Sequence, residues 1–322
     1  MADYYIGVDL GGTKILTALA DEKGEILARK KLPTEADRGH ETIIKNINFS
    51  IDSVLKQAGV SKDQVLKIGI GSPGPLSTVK GVIYETANLP WTNVPIVDIM
   101  EEKTGIPVKL ENDANAAALG EKWFGAGTNV DNMIYITVST GVGGGIIEDK
   151  EIIHGADGGA GEVGHMTINP EGPVCGCGNH GCLESFSSGT AIGREGKKAL
   201  QEGRSDVIKK LSDNNPDNID ALLVAQAAAE GDEVAKEIYQ KAGYYLGIGL
   251  ANLVNLFNPE LIVMGGGVMK DEDLFKKPMQ KSLKERALGS SLEQVDICKV
   301  ELGDDTGVKG AIAVAMEERL LS

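Results

Sequence analysis

The chain has 322 residues, 42% hydrophobic and 25% charged, with 32 basic against 47 acidic residues and a formal net charge of −15. This length suits two ordinary domains, each able to bury its own core. The acidic balance argues against a nucleic-acid or anionic-membrane surface, since either needs basic patches, but it leaves room for a nucleotide at a locally favourable site. The N-terminus shows no basic leader, and no apolar run approaches the ~20 residues of a membrane helix, so a cytoplasmic protein is expected. Glycine is abundant, 42 residues clustered in runs such as Gly11-Gly12, Gly143-Gly144-Gly145 and Gly265-Gly266-Gly267. Such clusters beside apolar stretches predict turns that approach a ligand closely.

In chain order, Tyr5 to Ala20 and the segment after Asp21 predict three consecutive strands broken by glycine and charged turns. Ile43, Ile44, Ile47, Ile51, Val54 and Leu55 recur at helical spacing, and Gly59 stands where a helix would stop. A buried strand over Val65 to Ile70 runs into Gly71-Ser-Pro-Gly-Pro, and Val108-Lys-Leu-Glu runs into Asn112-Asp113 and an alanine-rich helix. The opening pattern then returns: Tyr135-Ile-Thr-Val-Ser-Thr-Gly aligns with Tyr5-Ile-Gly-Val-Asp-Leu-Gly at an offset of 130. The helical stretch from Ala242 to Phe257, the strand Leu261-Ile-Val-Met and the Gly265 turn mirror the earlier helix, strand and Gly71 turn. Two similar α/β halves would each offer a glycine turn at strand ends, where open α/β sheets bind ligands.

Asp9-Leu-Gly11-Gly12-Thr13-Lys14 combines backbone amides, a hydroxyl and a cation for phosphate with an acid for hydrated magnesium, though Gly-Gly also serves a plain hairpin. Thr140, Gly141, Gly265 and Gly266 are its expected partners in the second half. No P-loop is present, and the Gly-x-Gly-x-x-Gly matches at 69–74 and 176–181 fall in a proline-flanked turn and a cysteine cluster. Asp113, at a strand end before a helix, is a candidate base for a hydroxyl, with Asn112 as a hydroxyl ligand. Helix capping is the competing use of Asp113.

His165, Cys175, Cys177 and Cys182 offer one imidazole and three thiolates, a closed tetrahedral shell typical of structural zinc. His180 competes for the fourth place. Glu162 and Glu184 flank the cluster and suit a polyol, while Cys298 is expected in the core.

These motifs together (Asp9 to Lys14, Glu111-Asn-Asp-Ala-Asn-Ala, Ser139-Thr-Gly-Val-Gly-Gly-Gly, Glu162-Val-Gly-His and Cys175 to Glu184) resemble the ROK family of sugar kinases and sugar-responsive repressors, and within it the bacterial glucokinases. The resemblance implies an actin-like, ribonuclease-H-like α/β fold of two domains with an interdomain cleft. The smaller domain would span residues 1–113 with a returning C-terminal helix at about 306–322, and the larger one 114–305. It implies ATP with Mg2+ as co-substrate, Asp113 as catalytic base, and sugar contacts from Asn88, Asn112, Glu162, His165 and Glu184. His165, Cys175, Cys177 and Cys182 would hold structural zinc, His165 using its two ring nitrogens for metal and sugar. Glucose 6-phosphorylation is the expected activity, with another hexose (mannose, fructose or N-acetylmannosamine) as the near alternative and a homo-oligomer, dimer or tetramer, as the expected assembly. A repressor would need a basic DNA-binding segment ahead of Asp9, for which the sequence shows no room.

Overall fold

The computed structural model describes residues 3–84, 86 and 89–321. Strands β1 (Tyr4–Leu10), β2 (Lys14–Ala20) and β3 (Ile26–Pro33) form an antiparallel meander. Helix α1 (His40–Ala58) then leads to β4 (Val65–Ser72), which pairs parallel to β1. A short ribbon of β5 (Leu76–Ser77) and β6 (Val82–Ile83) precedes α2 (Ile96–Thr104), β7 (Val108–Asn112) and α3 (Asp113–Phe124). The chain continues through β8 (Met133–Val138), β9 (Val142–Glu148) and β10 (Glu151–Ile152). It then forms the helices α4 (Glu184–Ser187), α5 (Gly189–Gln201), α6 (Asp206–Leu211), α7 (Ala221–Ala229) and α8 (Glu233–Phe257). Strand β11 (Leu261–Gly265), α9 (Lys276–Arg286), α10 (Gly289–Leu292), β12 (Asp296–Lys299) and α11 (Thr306–Leu320) follow.

The two five-stranded sheets have the same plan. The first is ordered β3-β2-β1-β4-β7 and the second β10-β9-β8-β11-β12. Strand for strand, the meander, the central first strand and the two later strands correspond, as the repeat of Tyr5 at Tyr135 predicts. By contacts the chain divides into one compact unit of residues 1–135, 145–161 and 300–322 and a second of 136–144 and 162–299.

In the first unit, Ile43, Ile44, Ile47, Ile51, Val54 and Leu55 of α1 share one buried cluster with Ile6, Val8, Ile68 and Ile70 of the sheet. Each fully buried aliphatic side chain contributes about 1.5–3 kcal/mol. The helix stops at Gly59, whose φ of 68° lets its amide close on the Leu55 and Lys56 carbonyls. The other face is covered by α11, with Tyr5, Ala18, Ala20, Val308, Ile312, Ala315 and Met316 in one cluster. Gly69 makes this approach possible, since a Cβ there would collide with the Ala311 carbonyl. At the far end of α3 the buried carboxylate of Glu121 takes the amides of Ala126, Glu301 and Leu302 and the Thr306 hydroxyl.

In the second unit, α8 packs on α9, with Leu246, Leu250, Leu253 and Val254 buried. Cys298 departs from expectation: it lies on the edge strand β12 and is half-buried. Among the described residues, no helix is long and apolar enough to cross a membrane.

Candidate active site

In the first unit the C-terminal ends of β1 and β7 supply the acids. Gly11 donates its amide to the Lys14 carbonyl at 2.9 Å, and the Thr34 hydroxyl holds the Gly11 carbonyl at 2.6 Å. This closes a tight hairpin; Gly12, Thr13 and Lys14 lie at its turn, with Thr13 and Lys14 exposed. Asp9 stands at the end of β1, and a Cβ on Gly307, in the first turn of α11, would lie 2.7 Å from its Oδ2. Burial pushes Asp9 up to about 6; the Lys14 cation opposes this and the Asp113 charge adds to it. Asp9, Lys14 and Asp113 thus share one electrostatic neighbourhood.

The cap of α3 falls one residue earlier than the competing use of Asp113 expects. Asn112 is the capping residue, its Oδ1 accepting from the Ala114 amide at 2.9 Å and the Asn115 amide at 3.3 Å. Asp113 is the first helical residue, its Oδ1 taking the Ala114 amide at 2.8 Å. A carboxylate at a helix N-terminus is favoured in its charged form. Two residues upstream, the buried Glu111 receives His154 Nε2 at 2.7 Å on Oε2 and the Asn115 side-chain amide at 3.0 Å on Oε1. The expected contact at Asn88 lies outside the described residues.

In the second unit the structure brings His165 and the three cysteines together. The ligand atoms of His165, Cys175, Cys177 and Cys182 all lie within 4.8 Å of one another. Cys177 Sγ and Cys182 Sγ are 3.7 Å apart, as are Cys175 Sγ and His165 Nδ1. A tetrahedron with metal–sulfur bonds of about 2.3 Å has edges of about 3.8 Å, so the donor set fits zinc. His180 is excluded from the cluster, its Nδ1 facing the Gly172 carbonyl at 3.3 Å. Gly181, with φ of 71°, permits the turn, since a Cβ there would strike the Asn169 carbonyl. The other nitrogen of His165, Nε2, stands 3.9 Å from Glu162 Oε2. Glu184 braces the cluster to the glycine turn: Oε2 accepts the Val142 amide at 2.9 Å, and Oε1 lies 3.6 Å from Cys175 Sγ.

Beside that turn lies a cavity of about 740 Å³, lined by Ser139, Thr140, Gly189, Thr190, Arg194, Tyr239 and Gly267 among others. The volume is that of a small-molecule site. Gly189 donates to the Ser139 carbonyl at 2.7 Å, and the Thr190 hydroxyl to that of Thr140 at 2.8 Å, so the start of α5 is fastened to the turn. Of the expected phosphate residues, Thr140 lines the cavity directly. Gly141 neighbours it, and Gly265 and Gly266 lead into Gly267. Gly266 has φ of 96°, and a Cβ would collide with the Val138 carbonyl. Arg194 and Tyr239 escaped sequence reasoning, because nothing near either in the chain marks it as a site residue. The opening Ser188-Gly-Thr of α5 is the one local signal that could have found the cavity wall.

The duplicated sheet, the acid-bearing strand ends and the glycine turns define an actin-like, ribonuclease-H-like α/β protein of the sugar-kinase type. The chain belongs to the ROK family, whose model matches residues 5–318. It is 40% identical to the glucokinase of Halalkalibacterium halodurans, over 95% of this chain and 93% of that one. The structure of a ROK family glucokinase from Streptomyces griseus in complex with glucose and AMPPNP is similar with a TM-score of 0.80 and 35% identity, covering 98% of this chain and 99% of that one. The xylose repressor of Caldicellulosiruptor bescii is 36% identical, over 98% of this chain and 78% of the repressor.

Proposed function

We propose that the protein transfers the γ-phosphoryl group of ATP to the 6-hydroxyl of glucose. The observation that carries this reading is Asp113 in the first turn of α3, with the capping role filled by Asn112, in a chain alike end to end to glucokinases. Asp113 orients the hydroxyl and accepts its proton as the oxygen attacks the γ-phosphorus and ADP leaves. Asn112, Glu162, His165 and Glu184, with Asn88, contact the sugar hydroxyls.

The turns at Asp9–Lys14 and Thr140–Gly141, with Gly265 and Gly266, hold the phosphates, and the cavity beside Thr140 receives the rest of the nucleotide. Asp9 is the residue for magnesium, which when bound neutralises phosphate charge. His165, Cys175, Cys177 and Cys182 hold zinc, which when bound fixes the imidazole so that Nε2 is left for the sugar. Most of the acceleration comes from positioning and charge stabilisation. The protein works as a homo-oligomer.

The test is ADP release with glucose, comparing wild type with Asp113→Asn. A fall in kcat of about 10²–10⁴-fold is expected; turnover near wild type in the variant removes the base assignment. A panel of glucose, mannose, fructose and N-acetylmannosamine compared by kcat/KM fixes the hexose. The likeness to a xylose repressor supports a second reading, a sugar-binding regulator. It predicts sugar binding without ATP consumption.

A further inference from the structure

The loop ahead of Glu162 starts at a pair that the phosphoryl-transfer reading leaves unused. Strand β9 passes close to α3, where Gly145 leaves no room for a Cβ beside the Ala114 carbonyl and Ala118. The hairpin continues into β10, and the Ile153 amide returns to the Ile146 carbonyl at 2.8 Å. His154 comes immediately after and opens a glycine loop. Its carbonyl receives the Ala160 amide at 3.2 Å, and Gly155, Gly158 and Gly161 all hold positive φ within it. The next residue is Glu162, then Val163-Gly164-His165.

The side chain of His154 fixes where this loop starts. Nε2 meets Glu111 Oε2 at 2.7 Å, and Glu111 is 2% exposed. The other oxygen of Glu111 takes its neighbour's amide, that of Asn112, at 2.9 Å, and the Asn115 side chain at 3.0 Å. The same carboxylate therefore holds the corner that carries Asn112 and Asp113. A buried carboxylate of this kind is costly unless partnered, so the arrangement is specified and stiff. In a loop of glycines, whose backbone freedom is otherwise large, one charged anchor decides where the loop leads.

We propose that His154 is a positioning residue for the sugar: anchored on buried Glu111, it fixes the glycine loop from which Glu162 and His165 emerge. The inference rests on the reading that those two residues contact sugar. Protonated imidazole makes the stronger anchor. The charged groups facing it are Glu111, whose hydrogen bond raises its pKa, and Lys109 farther back on β7, which, like burial, opposes this. Asp157, on the loop, is turned to the Gly159 amide. Sugar affinity should therefore weaken as pH rises past the raised pKa of His154.

The experiment measures KM for glucose and for ATP from pH 6 to 9 in wild type, His154→Gln and Glu111→Gln. Both variants should raise KM for glucose about tenfold or more, leave KM for ATP within about twofold, and lose the alkaline rise in glucose KM that wild type shows. A purely structural role would lower Tm without that selective change. Wild-type glucose KM in His154→Gln, or an alkaline rise that survives the substitution, overturns the inference and leaves the kinase reading intact. A wild type that acts on no sugar removes both. Should the variants not fold, NMR titration of labelled histidine in the wild type decides. Saturating glucose should raise the pKa of His154, and an unmoved value overturns the proposal.

Discussion

The carboxyl of Asp9 abuts Gly307, close enough that a Cβ on the glycine would lie 2.7 Å from Oδ2. Strand end and helix start meet at an acid that burial raises from 3.8 to about 6. This raised value gives stability a definite dependence on pH. Below its ordinary value of 3.8 the carboxyl is protonated in both folded and unfolded chains and costs nothing. As pH rises from 3.8 through about 6, the unfolded chain ionises more readily, and the fold loses about 3 kcal/mol. Asp9→Asn should therefore raise the Tm of the ligand-free protein at pH 7.5 and change it little at pH 4, while kcat/KM for ATP falls about a hundredfold. Melting curves at the two pH values check this. A variant less stable than wild type at pH 7.5 contradicts it.

Asn112 has one oxygen on the helix amides of Ala114 and Asn115, which leaves its amide hydrogens for a ligand. The capping role and the proposed sugar contact separate by substitution. Asn112→Ala loses the cap and about 1 kcal/mol, whereas Asn112→Ser keeps an oxygen that caps equally well. Both lose the amide donors, so both should raise KM for glucose about tenfold, while only the alanine variant melts earlier. Thermal melts and initial rates on the same preparations decide. A serine variant with unchanged glucose KM refutes the contact.

The elements legible in the sequence are those whose signal is local or repeated. The face of α1 is set by isoleucines at helical spacing, and its end by Gly59. The shared strand order is foreshadowed by the recurrence of Tyr5 at Tyr135. The histidine–cysteine cluster is legible because three thiols and their turn glycines fall within eight positions, Cys175 to Cys182. The hidden contacts join residues far apart in the chain. His154 reaches Glu111 across 43 positions, and Glu121 collects amides about 180 positions away. Such partners leave no periodicity, because only the packing of α3 with its neighbours brings them together. The cap of α3 was ambiguous for a different reason, since Asn and Asp are nearly equal at that position.

Gly69 and Gly59 require glycine for different reasons, and alanine tests both. At Gly69 a Cβ would meet the backbone of α11, which no rotamer can relieve. Gly69→Ala should destabilise by about 3 kcal/mol and shift Tm down by roughly 6–12 °C. At Gly59 nothing lies within 4 Å, and φ is 68°. Gly59→Ala should cost only about 1 kcal/mol, and Gly59→Asn less, because asparagine tolerates that conformation. Denaturant titrations of the three variants give the comparison. Equal losses at both glycines would mean that α11 yields, against the packing described.

On the proposed reading, the effect of a bound metal on the sugar would turn on the two nitrogens of His165. Nδ1 faces Cys175 Sγ at 3.7 Å and Nε2 faces Glu162 at 3.9 Å. An ion among the four ligands would clamp the ring by its inner nitrogen, so removing it should free the ring and disturb the sugar first. Burial pushes the Cys175 thiol up to about 12, so this group keeps its proton until a cation displaces it. Zinc uptake by chelated protein should thus release protons into a weakly buffered solution. The purified protein should carry one zinc per chain by elemental analysis. Chelation, or Cys177→Ser, should raise KM for glucose about tenfold or more while KM for ATP stays within about twofold, and added zinc should restore the chelated wild type. Zinc-free protein with an ordinary glucose KM would show that the cluster braces nothing the sugar needs. A parallel loss for both substrates would show that the cluster supports the fold of the whole unit instead.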